Sequence, residues 1–196
     1  PHSFGPADLD ITDALMSQIE REILVPVVDG MNRNGTPYRG VLYAGLMLTA
    51  GGPKVLEFNA RFGDPETQPV MLRMQNDLLE VMLAVCNGSL EDVTLKWDPR
   101  SAVCVVMASG GYPGEYQKGK VITGIAQADS NKEVKVFHAG TKMENDQLVT
   151  SGGRVLGVTA LGETIALAQK AAYDAASHIH FEDAYYRKDI ASKAID

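Results

Sequence analysis

Only two cysteines occur in 196 residues, Cys86 and Cys104, each in apolar surroundings. That count and spacing argue against a disulfide scaffold or a zinc site, and both read as small core residues. No apolar run approaches the ~20 residues of a membrane span. The start carries no signal-peptide pattern, so a reducing cytoplasmic setting is the default expectation. Basic residues are in deficit, 18 Lys and Arg against 25 Asp and Glu, a net charge of −7. This balance argues against a general nucleic-acid binder, but it leaves room for a locally basic site that takes an anionic substrate. Internal repeats and low-complexity segments are missing, and no spacing marks a Ser/His/Asp or Cys/His arrangement. What is present is a hydrophobic fraction of 45%, enough to bury a core in one large domain or two small ones.

Residues 1–11 read as an extended or looped lead-in, broken by Pro1, Gly5 and Pro6. Thr12 is placed to cap a helix carrying Leu15, Ile19 and Ile23 at four-residue spacing, with Asp13 in its first turn. Pro26 should kink or interrupt it, and the turn 32–35 ends it. Residues 38–49 and 54–61 read as two strands of an antiparallel hairpin around Ala50-Gly51-Gly52-Pro53. Thr67 is expected to cap a helix whose apolar stripe is Met71, Met74, Leu78, Met82 and Val85. Asn76-Asp77 is its possible break and Gly88 its end.

A boundary is expected near residues 88–100. It gives an α+β protein with one part at 1–93 and a β-rich part with one long helix at 94–196. In the second part, 102–108 and 154–160 read as buried strands and 120–126, 133–139 and 147–150 as short ones. Residues 163–178 read as a helix with Ile165, Ala168, Ala172 and Ala175 on one side, and 179–187 as a last strand.

The stretch Val55-Leu56-Glu57-Phe58-Asn59-Ala60-Arg61 carries the most chemistry. Side chains alternate along a strand, so Glu57, Asn59 and Arg61 should share one face, and Leu56, Phe58 and Ala60 the other, which can be buried. A carboxylate, a carboxamide oxygen and a guanidinium in one row suit a hard cation bridging phosphate oxygens. The loop that follows, Phe62-Gly63-Asp64-Pro65-Glu66-Thr67-Gln68, adds polar groups beside a helix start. Other candidates are weaker. Gly110-Gly111-Tyr112-Pro113-Gly114 lacks the Lys-Ser/Thr ending of a phosphate loop and reads as a turn. Gly152-Gly153 reads as a hairpin turn from which Arg154 could reach an anion. His178 and His180 lack a third ligand and read as surface residues, whereas His138 reads as a hydrogen-bonded core or interface residue.

Glu57 to Pro69, together with Tyr43-Ala44-Gly45-Leu46-Met47, closely resembles the glycinamide ribonucleotide synthetases (phosphoribosylamine–glycine ligases) of the ATP-grasp superfamily. The likeness continues through 106–114, 137–142, 152–156 and 187–190, so it runs from about residue 37 to the end. Glu-x-Asn-x-Arg is shared by several ATP-grasp ligases and carboxylases. The continuation Arg-Phe-Gly-Asp-Pro-Glu-Thr-Gln is far more specific.

The resemblance implies ATP-dependent joining of glycine to 5-phosphoribosylamine through a glycyl phosphate, with ATP and Mg²⁺ or Mn²⁺. It implies that Glu57 and Asn59 hold the metal and that Arg61 stabilises the transferring phosphoryl group. It further implies that Asp64, Glu66, Thr67 and Gln68 line the substrate site and that Leu56 approaches the adenine. Implied partners are small molecules, with no nucleic acid or membrane, for a full-length monomer. Residues 1–93 resemble the closing portion of the ATP-grasp core. Residues 94–196 resemble a small C-terminal domain like that of biotin carboxylase-type enzymes. The family's N-terminal domain and ATP-covering lid find no counterpart in residues 1–36, so this chain is expected to be a fragment, inactive alone. The competing expectations are a non-catalytic binding module derived from the synthetase and another ATP-grasp ligase or carboxylase.

Overall fold

The computed structural model describes residues 12–195 in full and residues 2–5 through their backbone. The chain forms two compact units. One joins Asp8–Gly63 to Gln75–Lys96; the other joins Pro1–Ala7, Asp64–Met74 and Trp97–Asp196. Compactness thus divides the chain differently from the sequence boundary at 93/94, because segment 64–74 packs with the second half.

In the first unit, Thr12 caps α1 (Asp13–Ile19) as expected, its hydroxyl accepting from the Leu15 N–H at 3.2 Å. Ile19 and Ile23 are buried and Leu15 is half-buried. Pro26 does not end the helix. The chain passes through a π-helical stretch, Glu20–Leu24, into α2 (Val25–Arg33), which has the proline in its first turn. A residue without an N–H costs least where helical hydrogen bonding restarts.

Residues 38–42 are not a strand. The hairpin is β2 (Tyr43–Thr49) and β3 (Gly52–Asn59), antiparallel, with a bulge that opposes Val55 to Leu46 and Glu57 to Gly45. Among the described residues it is a sheet of two strands. The helix after Asp77 is α4 (Leu78–Asn87), whose cap carboxylate accepts from Leu79 and Glu80, and Gly88 closes it in the left-handed conformation. Met82 is exposed, so the methionine stripe is only partly covered, and Cys86 is exposed too.

The second unit is built on a four-stranded antiparallel sheet in the order β1-β4-β8-β5. Its strands are β1 (His2–Gly5), β4 (Ser101–Ala108), β5 (Val134–His138) and β8 (Arg154–Gly162). Residues 2–5 therefore form an edge strand against β4 rather than a loop; residues 6–11 lie outside the described residues. Every residue of β4 is buried. Val103, Val105 and Met107 join the main core with Ile165, Ala168, Ala172, Ala175 and Ala176 of α6 (Ile165–Ala176). Cys104, on the opposite face, lies beside Gln68 of α3 (Thr67–Arg73) across the bare position of Gly157. A strand covered on both faces reads as a continuous apolar run, as 102–108 does. Each Val or Met so buried contributes about 1.5–3 kcal/mol relative to exposure.

Several expectations fail here for tertiary reasons. Residues 120–126 make isolated bridges at Val121 and Thr123 and enter the short helix α5 (Ile125–Ala128). Residues 179–187 likewise bridge only at His180 and Tyr185. The pair β6 (Thr141–Glu144) and β7 (Gln147–Thr150) forms its own small sheet, so Gly152-Gly153 connects two sheets instead of turning a hairpin. His138 is exposed, its Nδ1 3.1 Å from the Thr141 hydroxyl, and is not a core residue.

Candidate active site

Glu57 and Asn59 stand two residues apart on the C-terminal side of the β3 bulge, so the pleat puts them on one face. Opposite Glu57 is Gly45, and a Cβ there would lie 3.1 Å from the Glu57 Cγ. The missing side chain gives the carboxylate stem its room. Arg61 does not join this row by pleating. β3 ends at Asn59, and Arg61 sits in the bend that follows, exposed, its Nη1 donating to the Phe62 carbonyl at 2.9 Å.

The apolar side of the strand is not buried either. Leu56 is 64% and Phe58 41% exposed. Leu56 is the bulge residue with no partner on β2, which turns it away from the regular alternation. Burying a sheet face requires a second layer packed on it. Exposure of Leu48, Val55, Leu56 and Phe58 shows that none of the described residues covers this face.

The expected substrate loop belongs to the second unit. Thr67 is the first residue of α3, with Glu66 at the cap position, so Thr67 does not cap the helix. Asp64 is held twice. Its Oδ1 accepts from Gln68 Nε2 at 2.9 Å, and its Oδ2 lies 3.3 Å from Arg154 Nη1, which also donates to the Asp64 main-chain carbonyl. Arg154 Nε donates in turn to the Tyr112 hydroxyl at 3.1 Å. Partial burial opposes the Arg154 charge, but the Tyr112 and Asp64 contacts outweigh it and raise its pKa. Arg154 does reach an anion, therefore, and the anion is this chain's own Asp64.

In the sequence Tyr112 reads only as part of a turn, and no spacing links it to Arg154. Its one signal was the unusual Gly152-Gly153-Arg154 run, because a Cβ on Gly153 would fall 2.1 Å from the Tyr112 ring. Among the described residues no cluster of three or more His, Cys, Asp or Glu could hold a metal, and His178 and His180 are exposed. Cys104 is inert: burial pushes its thiol up to about 12. The open clefts elsewhere in the second unit include two beside the Ser109–Pro113 stretch. One of about 390 Å³ is lined by residues including Lys120, Glu182 and Asp183. The other, about 360 Å³, is walled by Tyr112, Pro113, Tyr185, Tyr186 and Arg187. None of the residues predicted from the Glu57–Gln68 stretch lines either.

A β-hairpin bearing Glu57 and Asn59 is followed in the chain by a β-rich unit, and both stretches match domains of one ATP-grasp family. The ATP-grasp (A) domain of phosphoribosylglycinamide synthetase matches residues 3–67, and the C domain of the same synthetase matches residues 102–193. The chain belongs to the phosphoribosylglycinamide synthetase family.

It is 55% identical over 194 residues to the phosphoribosylamine–glycine ligase of Rhodopirellula baltica, covering 98% of this chain and 44% of that protein. To the ligase of Escherichia coli K12 it is 52% identical over 196 residues, covering 99% of this chain and 45% of that protein. Its fold matches the crystal structure of phosphoribosylamine–glycine ligase from Thermotoga maritima with a TM-score of 0.82 and 37% identity, over 96% of this chain and 46% of that one. N5-carboxyaminoimidazole ribonucleotide synthetase from the same organism shares the fold alone, with a TM-score of 0.60 at 17% identity. The chain thus spans less than half the length of the relatives it matches.

Proposed function

We propose that this chain supplies part of a ligase that joins glycine to 5-phosphoribosylamine at the expense of ATP, giving glycinamide ribonucleotide, ADP and phosphate through a glycyl phosphate. Residues 1–93 serve as the closing portion of its ATP-grasp domain and 94–196 as its C-terminal domain. The observation that supports this best is the pairing of Glu57 and Asn59 on one face of β3 opposite Gly45.

These two side chains offer one carboxylate and one carboxamide oxygen. That is too few donors for an all-protein cage, but it fits Mg²⁺ (or Mn²⁺), which is commonly held by one or two protein oxygens together with substrate phosphates. The metal, when bound, shields the negative charge of the ATP phosphates. Arg61, exposed and carrying five N–H donors, stabilises the equatorial oxygens of the transferring phosphoryl group. Leu56, pushed outward by the bulge, lies against the adenine. Asp64, Glu66, Thr67 and Gln68 bind the amino-acid and amine substrates, with Asp64 acting as a fixed acceptor because both its oxygens are already engaged. The substrates are small molecules, and no helix among the described residues is long and apolar enough to cross a membrane.

The test is ADP release by the full-length protein with glycine and phosphoribosylamine, against bicarbonate as the alternative acid. Glycine-dependent turnover is expected; bicarbonate-dependent turnover would place the protein among the carboxylases. Glu57→Gln should lower Mg²⁺-dependent kcat/KM by at least about tenfold, the loss that even outer partners of a metal site cause. Full activity in that variant removes Glu57 from the metal.

A further inference from the structure

The segment that opens α3 is tied down by a residue 90 positions away in the chain. Arg154 begins β8, and the turn before it is rigidly seated. The buried Ser109 donates its Oγ to the Gly152 carbonyl at 2.9 Å and its N–H to the Gly153 carbonyl at 2.8 Å. Gly140 N–H donates to the Arg154 carbonyl at 2.9 Å. The Tyr112 ring fills the space that a Gly153 side chain would need, and its hydroxyl accepts from Arg154 Nε at 3.1 Å. The guanidinium, held from behind in this way, turns its Nη1 to both the main-chain carbonyl and the carboxylate of Asp64. On the far side Gln68 Nε2 takes the other carboxylate oxygen at 2.9 Å, and Pro65 between them is fully buried.

We infer that Arg154, braced by Tyr112, is a positioning residue that holds Asp64–Gln68 in its substrate-binding conformation. The inference rests on the reading of this segment as substrate-binding. The physical reason lies in the guanidinium fork. A planar group with several N–H donors can reach the Tyr112 hydroxyl on one edge and Asp64 on the other at once. A lysine ammonium carries the charge on a flexible stem and lacks that fixed geometry. Without the fork, Asp64 keeps Gln68 as a partner but the segment populates other conformations. Apparent affinity then falls in proportion to the competent fraction. Chemistry within competent molecules is spared, so the loss appears in KM more than in kcat.

Two measurements test this. In the full-length enzyme, Arg154→Met should raise KM for glycine or phosphoribosylamine about tenfold, as expected for losing a charge-assisted hydrogen bond, while kcat changes much less. Arg154→Lys should recover part of that loss, and Tyr112→Phe should raise KM in the same direction by less. Unaltered KM values alongside a lowered Tm would overturn the inference, leaving Arg154 a structural brace. If Arg154→Met does not fold, Arg154→Lys and Tyr112→Phe decide alone, and wild-type KM in both overturns it. Separately, hydrogen exchange by NMR on the 196-residue chain should show the amides of Asp64, Glu66, Thr67 and Gln68 exchanging faster in Tyr112→Phe and Arg154→Lys, with β4 amides unchanged. Equal protection in variant and wild type overturns positioning, whatever the enzyme ligates. A wild-type enzyme without glycine-dependent turnover sinks the ligase reading and leaves the exchange result standing.

Discussion

Glu57 and Asn59 share a face through nothing more than the two-residue period of a strand, which is why spacing alone puts them side by side. Arg61 was read by the same period, yet β3 ends two residues earlier, so its neighbourhood is set by a bend that spacing does not encode. Asp64 shows the opposite limit. Its partner Arg154 is 90 residues away, and no local pattern links them.

The same holds for Asp98 and Arg100, where the short spacing is legible but the strength is not. Arg100 bonds the Asp98 carboxylate with its Nε and with its Nη2 at 2.8 Å, and it also meets Glu133. The Arg100 side chain holds the Asp98 carboxyl down to about 2, against an ordinary 3.8. A depressed carboxylate stabilises the fold above its unfolded pKa, and that contribution is lost as pH falls through the folded value. Wild type should therefore lose thermal stability from this pair between about pH 4 and pH 2. Asp98→Asn, lacking the contribution at neutral pH, should show a smaller fall in Tm over the same window. Identical Tm profiles for the two proteins would show that the pair carries no pH-linked stability.

Helices with a cap and a periodic stripe were the most legible elements. Thr12, Asp77 and Gly88 each do at a helix end what their side chains or backbone freedom allow. Thr164, which read simply as part of a helix, is the cap of α6, its hydroxyl accepting from Leu167 N–H at 3.2 Å. Because α6 supplies the alanine face that covers β4 and β8, Thr164→Ala should cost about 1 kcal/mol of folding stability, read from urea unfolding of the second unit. A change within a few tenths would mean that packing alone sets this helix start. Strands fared worse where pairing is supplied from elsewhere. Residues 2–5 carry breakers at their flanks, yet β4 offers an edge and the backbone takes it. Residues 120–126 and 179–187 have strand-like composition but find only single bridging partners.

Across the whole chain, the hairpin leaves Met47, Leu48, Val55, Leu56 and Phe58 exposed, and α4 leaves Leu79, Met82 and Leu83 exposed. The relatives are more than twice as long as the segment matched here. We therefore expect the purified 196-residue chain to show no measurable ligase turnover under conditions where the full-length protein turns over. Turnover by the short chain would mean that its own residues suffice for ATP binding and chemistry.

The sequence by itself determined the family, the Glu57–Asn59 pairing on one face, the buried runs at 102–108 and 155–160, and the ends of two helices at Thr12 and Gly88. Each depends on a period or a cap that acts over a few neighbouring residues. Only the tertiary structure decided that segment 64–74 folds with the second half, that β1 adds an edge strand, and that Arg154 and Tyr112 grip Asp64. These outcomes depend on which backbone edges and donors arrive together after the chain closes on itself, and residues 90 positions apart leave no periodic trace of such a meeting.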